Sequence, residues 1–178
     1  MGISNGSRKL RNATLVFLVK KNQGKISDIC LAMKKRGFGI GRWNGAGGKV
    51  GDNHKETVIE AARREAKEEI GVDINIVDFY KVAELTFYFP RNPAWDQLVH
   101  VYFTESWSGE PAESEEMSPK WFPVSEIPYQ KMWPDDEFWL PEVLKGNLLK
   151  ATFKFGENDV IFGKEINICE NLEIENIN

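Results

Sequence analysis

The span from residue 43 to 72, WNGAGGKVGDNHKETVIEAARREAKEEIGV, constrains this chain more than any other part of it. Val58, Ile59, Ala62, Ala66 and Ile70 recur at steps of three and four residues, which predicts a helix over residues 56–70 with one apolar side, closed by Gly71. Ahead of it, RGFGIGRWNGAGGK sets six glycines in fourteen residues, too many for the interior of a helix or strand, so the backbone there must come close to something. The helix has to bury its apolar side, and the runs around it supply a sheet. Residues 13–20 (ATLVFLVK) and 28–35 (DICLAMKK) read as a hairpin, and 82–89, 97–105, 151–155 and 159–166 as further strands. DDEFWLPEVLKG reads as a second helix with Pro141 awkward in its interior. Strands before and after a central helix predict an α/β fold, a mixed sheet with helices packed on it.

Composition narrows the class. With 178 residues, 42% of them hydrophobic and no repeat or linker, residues 1–178 are expected to form one domain, with residues 1–12 and 167–178 loosely held. Cys30 and Cys169 stand far apart and are expected to be free thiols in a reducing compartment. The polar opening MGISNGSRKL has no apolar core, so neither a signal peptide nor a membrane span is expected, and the chain is placed in the cytoplasm or shared with the nucleus. A net charge of −4 argues against binding a nucleic-acid polymer, which favours a basic face. An acidic protein can still hold a polyphosphate through bridging metal ions.

On the helix, Glu65, Glu68 and Glu69 are related by steps of three and four, so their carboxylates crowd one face. Acidic pairs at that spacing cost roughly 0.2–0.5 kcal/mol each. Two readings account for them. Arg63, Arg64 and Lys67 could neutralise a solvated face, or a hard divalent cation with oxygen ligands could offset the repulsion. The glycine segment in front of the helix, with free backbone groups, and the ending EEIGV favour the second.

GKVGDNHKETVIEAARREAKEEIGV resembles the Nudix box, G-x5-E-x7-R-E-U-x-E-E-x-G-U, in which U is a bulky aliphatic residue. Glu56, seven residues, then Arg64, Glu65, Ala66, Glu68, Glu69, Gly71 and Val72 follow the pattern. Two features depart from it: seven residues in place of five separate Gly48 from Glu56, and Ala66 is small. The first bears on the loop and leaves the helix in register. The resemblance implies the Nudix fold, a mixed β-sheet sandwiched between α-helices (α/β/α), and hydrolysis of a nucleoside diphosphate linked to another group. It implies Mg²⁺, or Mn²⁺ as a substitute, held by Glu65 and Glu69, by Glu68 as ligand or water-ordering base, and by the Gly47 carbonyl. It also implies a pairing of Arg64 with a glutamate such as Glu56. Glu60 falls outside the motif and is expected at the surface.

Beyond the box, MKKRGFGIGRWNGAGGKV, ESEEMSPKWFPVSEIP and KMWPDDEFWLPEVL are similar to segments of the branch of this family that hydrolyses oxidised purine nucleoside triphosphates such as 8-oxo-dGTP and 2-hydroxy-dATP. The similarity implies a small-molecule purine triphosphate as partner, a monomer, and a base pocket. Trp133 and Trp139 offer flat faces, and Asp135 and Asp136 acceptors for the base edge, although Asp136 could equally cap the second helix. Two carboxylates in an apolar pocket tend to share one proton, so that one donates while the other accepts. By the same similarity Asn44 contacts the purine, Thr14 and Lys34 line the sugar and base end, and Phe38, Phe87 and Phe89 form apolar walls. Glu116, with Glu115 as alternative, approaches the metals from a later loop. His54 and His100 are expected to be a surface and a packing residue. Rival readings are a methylated purine triphosphate, a dinucleoside polyphosphate or ADP-ribose as substrate, or a binding module that kept the fold and lost the chemistry.

Overall fold

The structure, a computed structural model, describes residues 10–51 and 55–172. It opens with the expected hairpin, β1 (Arg11–Asn22) and β2 (Lys25–Lys34), joined through Gln23 and Gly24. Both turn residues have positive φ, 52° and 77°, the conformation that matches a two-residue turn to the twist of its strands. A two-residue β3 (Trp43–Asn44) precedes α1 (Val58–Ile70). Then follow β4 (Tyr80–Tyr88), β5 (Gln97–Thr104), β6 (Met117–Pro123), α2 (Asp136–Leu144), β7 (Leu148–Phe155) and β8 (Ile161–Cys169).

One sheet takes all eight strands in the order β3-β2-β1-β5-β4-β7-β8, with β6 on the outer side of β2. It is mixed: β1 runs parallel to β5, and β4 to β7, while the other pairs are antiparallel. Successive residues of β1 serve opposite faces. Ala13, Phe17 and Val19 join the core that includes Trp139, Leu140 and Val143 of α2. Val16 and Leu18 join the core that includes Ala62, Ala66 and Ile70 of α1. The two helices therefore cover the two faces, giving the α/β/α sandwich.

Helix α1 begins two residues later than the periodicity suggests because Thr57 caps it. The Thr57 hydroxyl accepts from Glu60 N–H at 3.2 Å while Glu60 accepts from Thr57 N–H at 2.7 Å. Glu60 is exposed as expected, and this capping role is an addition. At the other end Gly71, with φ 75°, donates its N–H to the Lys67 carbonyl.

Three features differ from the sequence reading. Strand β6 was not anticipated in MSPKWFP, which carries Pro119 and Pro123; among the described residues it pairs only with β2, and a strand with a free edge tolerates residues that cannot donate. The end of the chain is also more ordered than expected, since β8 continues through Asn167 to Cys169 on β7. Arg11 and Asn12 likewise belong to β1, leaving His54 and most of the two termini outside the described residues. Cys30 and Cys169 are both free thiols.

Candidate active site

The hairpin partners β1 and β2 separate partway along. Val19 to Asn22 pair with β2, but Ala13 to Val16 turn to the glycine segment, where Val16 exchanges both backbone hydrogen bonds with Ala46 and Thr14 N–H donates to Gly48 at 2.8 Å. The segment crosses from β2, which it meets at Trp43 and Asn44, to β1. What its backbone approaches is therefore β1 and α1. A side chain at Gly47 would overlap the Thr14 carbonyl, and one at Gly48 would stand 2.5 Å from a Glu65 carboxylate oxygen. Gly47→Ala is expected to lower stability by about 1–3 kcal/mol, the scale of overpacking, read as a fall of several degrees in melting temperature. An unchanged melting temperature would show that this crossing is looser than described.

A cavity of about 560 Å³ opens where the strands part. One end is acidic. Glu69, buried on α1, accepts from Gly47 N–H at 2.9 Å and faces the Lys34 ammonium at 3.4 Å. Lys34 also reaches Glu116 at 3.2 Å, and Arg36 reaches Glu116 at 2.8 Å and Glu115 at 3.4 Å. The loop carrying Glu116 is tied to the helix by Ser114, whose hydroxyl donates to the Glu69 carbonyl at 2.7 Å and accepts from Glu116 N–H at 3.2 Å. Arg64 is the hub of the box: its guanidinium forks onto Glu56 at 2.7 and 3.0 Å and touches Glu65 at 2.8 Å, Glu68 at 3.3 Å and the Lys49 carbonyl at 3.3 Å. Glu56 in turn accepts from Gly51 N–H, so the pair joins the loop to the helix as the box pattern implies.

The electrostatics follow from depth. Burial raises the carboxyls of Glu65 and Glu69 above the usual range, against the lowering pull of Arg64 on the first and of the Gly47 N–H on the second. Glu116 is shifted the other way by Arg36 and then Lys34. Lys34 thus stands with the acids; the similarity placed it at the sugar and base end.

The other end is aromatic and closed. Asp135 and Asp136 are each 3% exposed, and neither has an ion-pair partner among the described residues. Asp135 accepts from the Trp139 indole N–H at 2.9 Å, and Asp136 from the Trp133 backbone N–H at 3.2 Å. Asp136 therefore does not cap α2. Burial pushes Asp135 up to about 7, and burial together with the neighbouring Asp135 charge pushes Asp136 well above the ordinary carboxylate range. Trp139 lines the cavity from the core side, buried and 6.2 Å from Phe17, while its indole N–H holds Asp135. Trp133 lines the cavity with Phe38, Phe87 and Phe89. Phe38, 49% exposed at the mouth, stacks on Trp133 at 4.9 Å and meets Trp95 at 5.1 Å.

Asn44 also lines this cavity; its carbonyl oxygen accepts from Gly45 N–H at 2.9 Å, which leaves its NH₂ as the free donor. Thr14, 3% exposed, lies on the wall between the two ends. His100 is a packing residue as expected, fully buried with Nε2 3.0 Å from Asn12 Oδ1. Arg36, Ser114, Trp95 and Gln97, which lines the same cavity, were not singled out in the sequence, because their places depend on partners distant in the chain.

Hard carboxylate oxygens gathered on one helix face are the donor set that Mg²⁺ or Mn²⁺ prefers, and two of them, on Glu65 and Glu69, are desolvated, which disfavours their charge until a cation offsets it. Among the described residues no three acidic, histidine or cysteine side chains already converge on one ion position. The reason is local: Arg64 and Lys34 occupy the carboxylates in this structure. The residues fit the ion once those cations yield. Glu65, Glu68, Glu69 and Glu116 would hold it, with Gly47 beside Glu69.

Comparison with known proteins agrees with this geometry. The chain is 40% identical over 159 residues to an oxidized purine nucleoside triphosphate hydrolase of Danio rerio, covering 89% of this chain and 96% of that protein. It is 42% identical over 148 residues to the Mus musculus protein of the same description, covering 83% and 88%. The crystal structure of the mutator MutT protein from Bacillus halodurans superposes with a TM-score of 0.74 at 20% identity, over 89% of this chain and 98% of that one, which speaks to the fold. Residues 9–143 match the NUDIX domain model, and the chain belongs to the Nudix family, whose hydrolases generally use divalent metal ions.

Proposed function

We propose that this protein hydrolyses oxidised purine nucleoside triphosphates, 8-oxo-dGTP and 2-hydroxy-dATP among them, to the monophosphate and pyrophosphate. The observation that carries the reading is the pair Asp135 and Asp136, buried without a cation at the aromatic end of a cavity whose other end holds the box glutamates. Two carboxyls sharing a proton present one donor and one acceptor, and the proton can change sides. That suits a base edge whose own pattern changes on oxidation. The names of the relatives from Danio rerio and Mus musculus support the same substrate class.

A bound divalent ion, Mg²⁺ on this reading, neutralises phosphate oxygens and makes a bound water more acidic. The chain does the rest. Glu68 takes the proton from the attacking water, being the most exposed box carboxylate and held, among the described residues, only by Arg64. Attack on the β-phosphorus breaks its bond to the oxygen shared with the α-phosphorus, and that oxygen leaves with the monophosphate. Lys34 and Arg36 turn from Glu116 to the phosphates. Phe38 and Trp133 hold the base, the Asn44 amide donates to it, and Thr14 packs on the sugar. The same reading takes the protein as a single-domain monomer working in the cytoplasm on a small nucleotide. Among the described residues no helix is long and apolar enough to cross a membrane.

Pyrophosphate, phosphate and AMP release with Mg²⁺ should be measured on 8-oxo-dGTP, 2-hydroxy-dATP, dGTP, dATP, O6-methyl-dGTP, ADP-ribose and diadenosine tetraphosphate. A kcat/KM at least about tenfold higher for the oxidised purines, ~1.4 kcal/mol of discrimination, is expected. Preference for ADP-ribose or the dinucleotide would remove the aspartates from base reading, and absence of turnover on every compound would leave a binding module.

A further inference from the structure

Arg42 does not line the cavity, yet three observations attach it to the cavity's aromatic wall. Its guanidinium carbon lies 4.0 Å from the centre of the Trp133 ring. Its Nη2 donates to Asp159 at 2.9 Å, across 117 residues of chain. Its Nη1 is buried and finds no hydrogen-bond partner among the described residues.

A partly exposed ion pair contributes little and gives no reason to bury an unpaired N–H, which is unfavourable. Arginine's flat, delocalised face explains the arrangement, because it can lie on an indole while one edge is anchored. The anchor is specific. Asp159 and its neighbour Asn158 both have positive φ, 58° and 53°, a tight turn that aspartate and asparagine adopt more readily than other side chains, and the Asp159 carboxylate meets Arg42 there. Asp159 leads into β8, at one end of the sheet, and Arg42 into β3, on the edge of β2 that also meets β1. The ion pair thus ties two segments distant in the chain beside the ring that faces the pocket. The β2–β3 loop adds Phe38, stacked on Trp133, and Gly39, where a methyl group would stand 3.2 Å from the Trp133 Nε1. Arg42 is also a cation whose field reaches both Asp135 and Asp136, although it pairs with neither.

We propose that Arg42, anchored by Asp159 and stacked on Trp133, is a positioning residue that holds the indole in place as the base-facing wall. The role rests on the functional reading above, in which Trp133 meets the purine. Its signature is a binding effect: a loosened wall weakens capture of the base more than it slows chemistry at the far end of the cavity. The test is steady-state kinetics on 8-oxo-dGTP and dGTP for the full-length wild type, Arg42→Ala, Arg42→Lys and Asp159→Asn. Arg42→Ala is expected to raise KM for 8-oxo-dGTP about tenfold with kcat down less than threefold, and to narrow the preference over dGTP. Arg42→Lys keeps the charge and loses the flat fork, so its KM should rise nearly as far. Wild-type KM in the alanine variant, or full rescue by lysine, overturns the role of Arg42 while wild-type discrimination stands. A wild type with no preference for the oxidised base instead removes the functional reading beneath it. Should Arg42→Ala fail to fold, Asp159→Asn, altered at a partly exposed carboxylate, decides: a KM raised about threefold or more supports the anchor, and an unchanged KM overturns it.

Discussion

Glu69→Gln should lower kcat/KM for the preferred nucleotide by about a thousandfold, ~4 kcal/mol of transition-state stabilisation, and leave the melting temperature level or higher. The two halves of that expectation have different causes. Glutamine keeps an oxygen to accept from Gly47 N–H, so the contact at 2.9 Å between glycine segment and helix survives. It removes a carboxylate whose ionisation burial already opposes, and a neutral amide in that place relieves the cost. What it cannot do is bind a hard cation as an anion. Kinetics across a Mg²⁺ titration together with thermal unfolding separate these effects. Near-normal turnover would exclude Glu69 from the metal site. A collapse in stability would instead make the residue structural, with the Lys34 pairing at 3.4 Å worth more than its length suggests.

The second large effect concerns substrate choice. Asp136→Asn should change the ratio of kcat/KM between 8-oxo-dGTP and 2-hydroxy-dATP by roughly 10–100-fold, the scale of one misplaced buried hydrogen bond. An asparagine accepts from the Trp133 N–H and donates from a fixed NH₂, so the pair can no longer exchange its proton between two readings. A ratio within twofold of wild type would mean that no proton moves between the two aspartates.

The same variant should alter the dependence of stability on pH. Asp135 and Asp136 are both raised by burial, Asp135 from 3.8 to about 7. Below about pH 4 both residues are protonated in the folded and unfolded chain alike. As pH rises the unfolded chain releases those protons first, so stability falls from about pH 4 through the folded value near 7. Asp136→Asn removes part of that loss and should melt higher than wild type above neutrality. An equal fall in both proteins between pH 5 and 8, measured by thermal unfolding, would contradict the buried, neutral form.

The helix α1 was legible because three signals coincide there: an apolar side at helical spacing, carboxylates that repel without a purpose, and a glycine to end it. The hairpin and most strands followed from β-rich runs with clear breaks. Strand β6 was hidden by two prolines, whose meaning depends on whether a neighbour lies on the far side. The glycine segment was correctly read as a close approach, but the partner could not be named, since Thr14 and Glu65 reach it only after β1 and β2 part. The residues proposed for a base pocket were named by family likeness. Their physical relations were not legible: that Trp139 holds Asp135, that Lys34 bridges Glu69 and Glu116, and that Arg42 finds Asp159 are facts of three-dimensional closure.

The central pairing of the sheet has a consequence for the chain as it is made. β1 lies beside β5 in parallel, Arg11 opposite Gln97, and the cavity wall also needs Phe155 at the end of β7. The capped helix and the first hairpin are local and can form as soon as they leave the ribosome, whereas one edge of β1 waits for a strand near the middle of the polypeptide. Until then Phe17 and Val19 face water. A nascent chain therefore has its glutamate helix well before it has a substrate pocket, and the interval is one in which a chaperone has something apolar to hold.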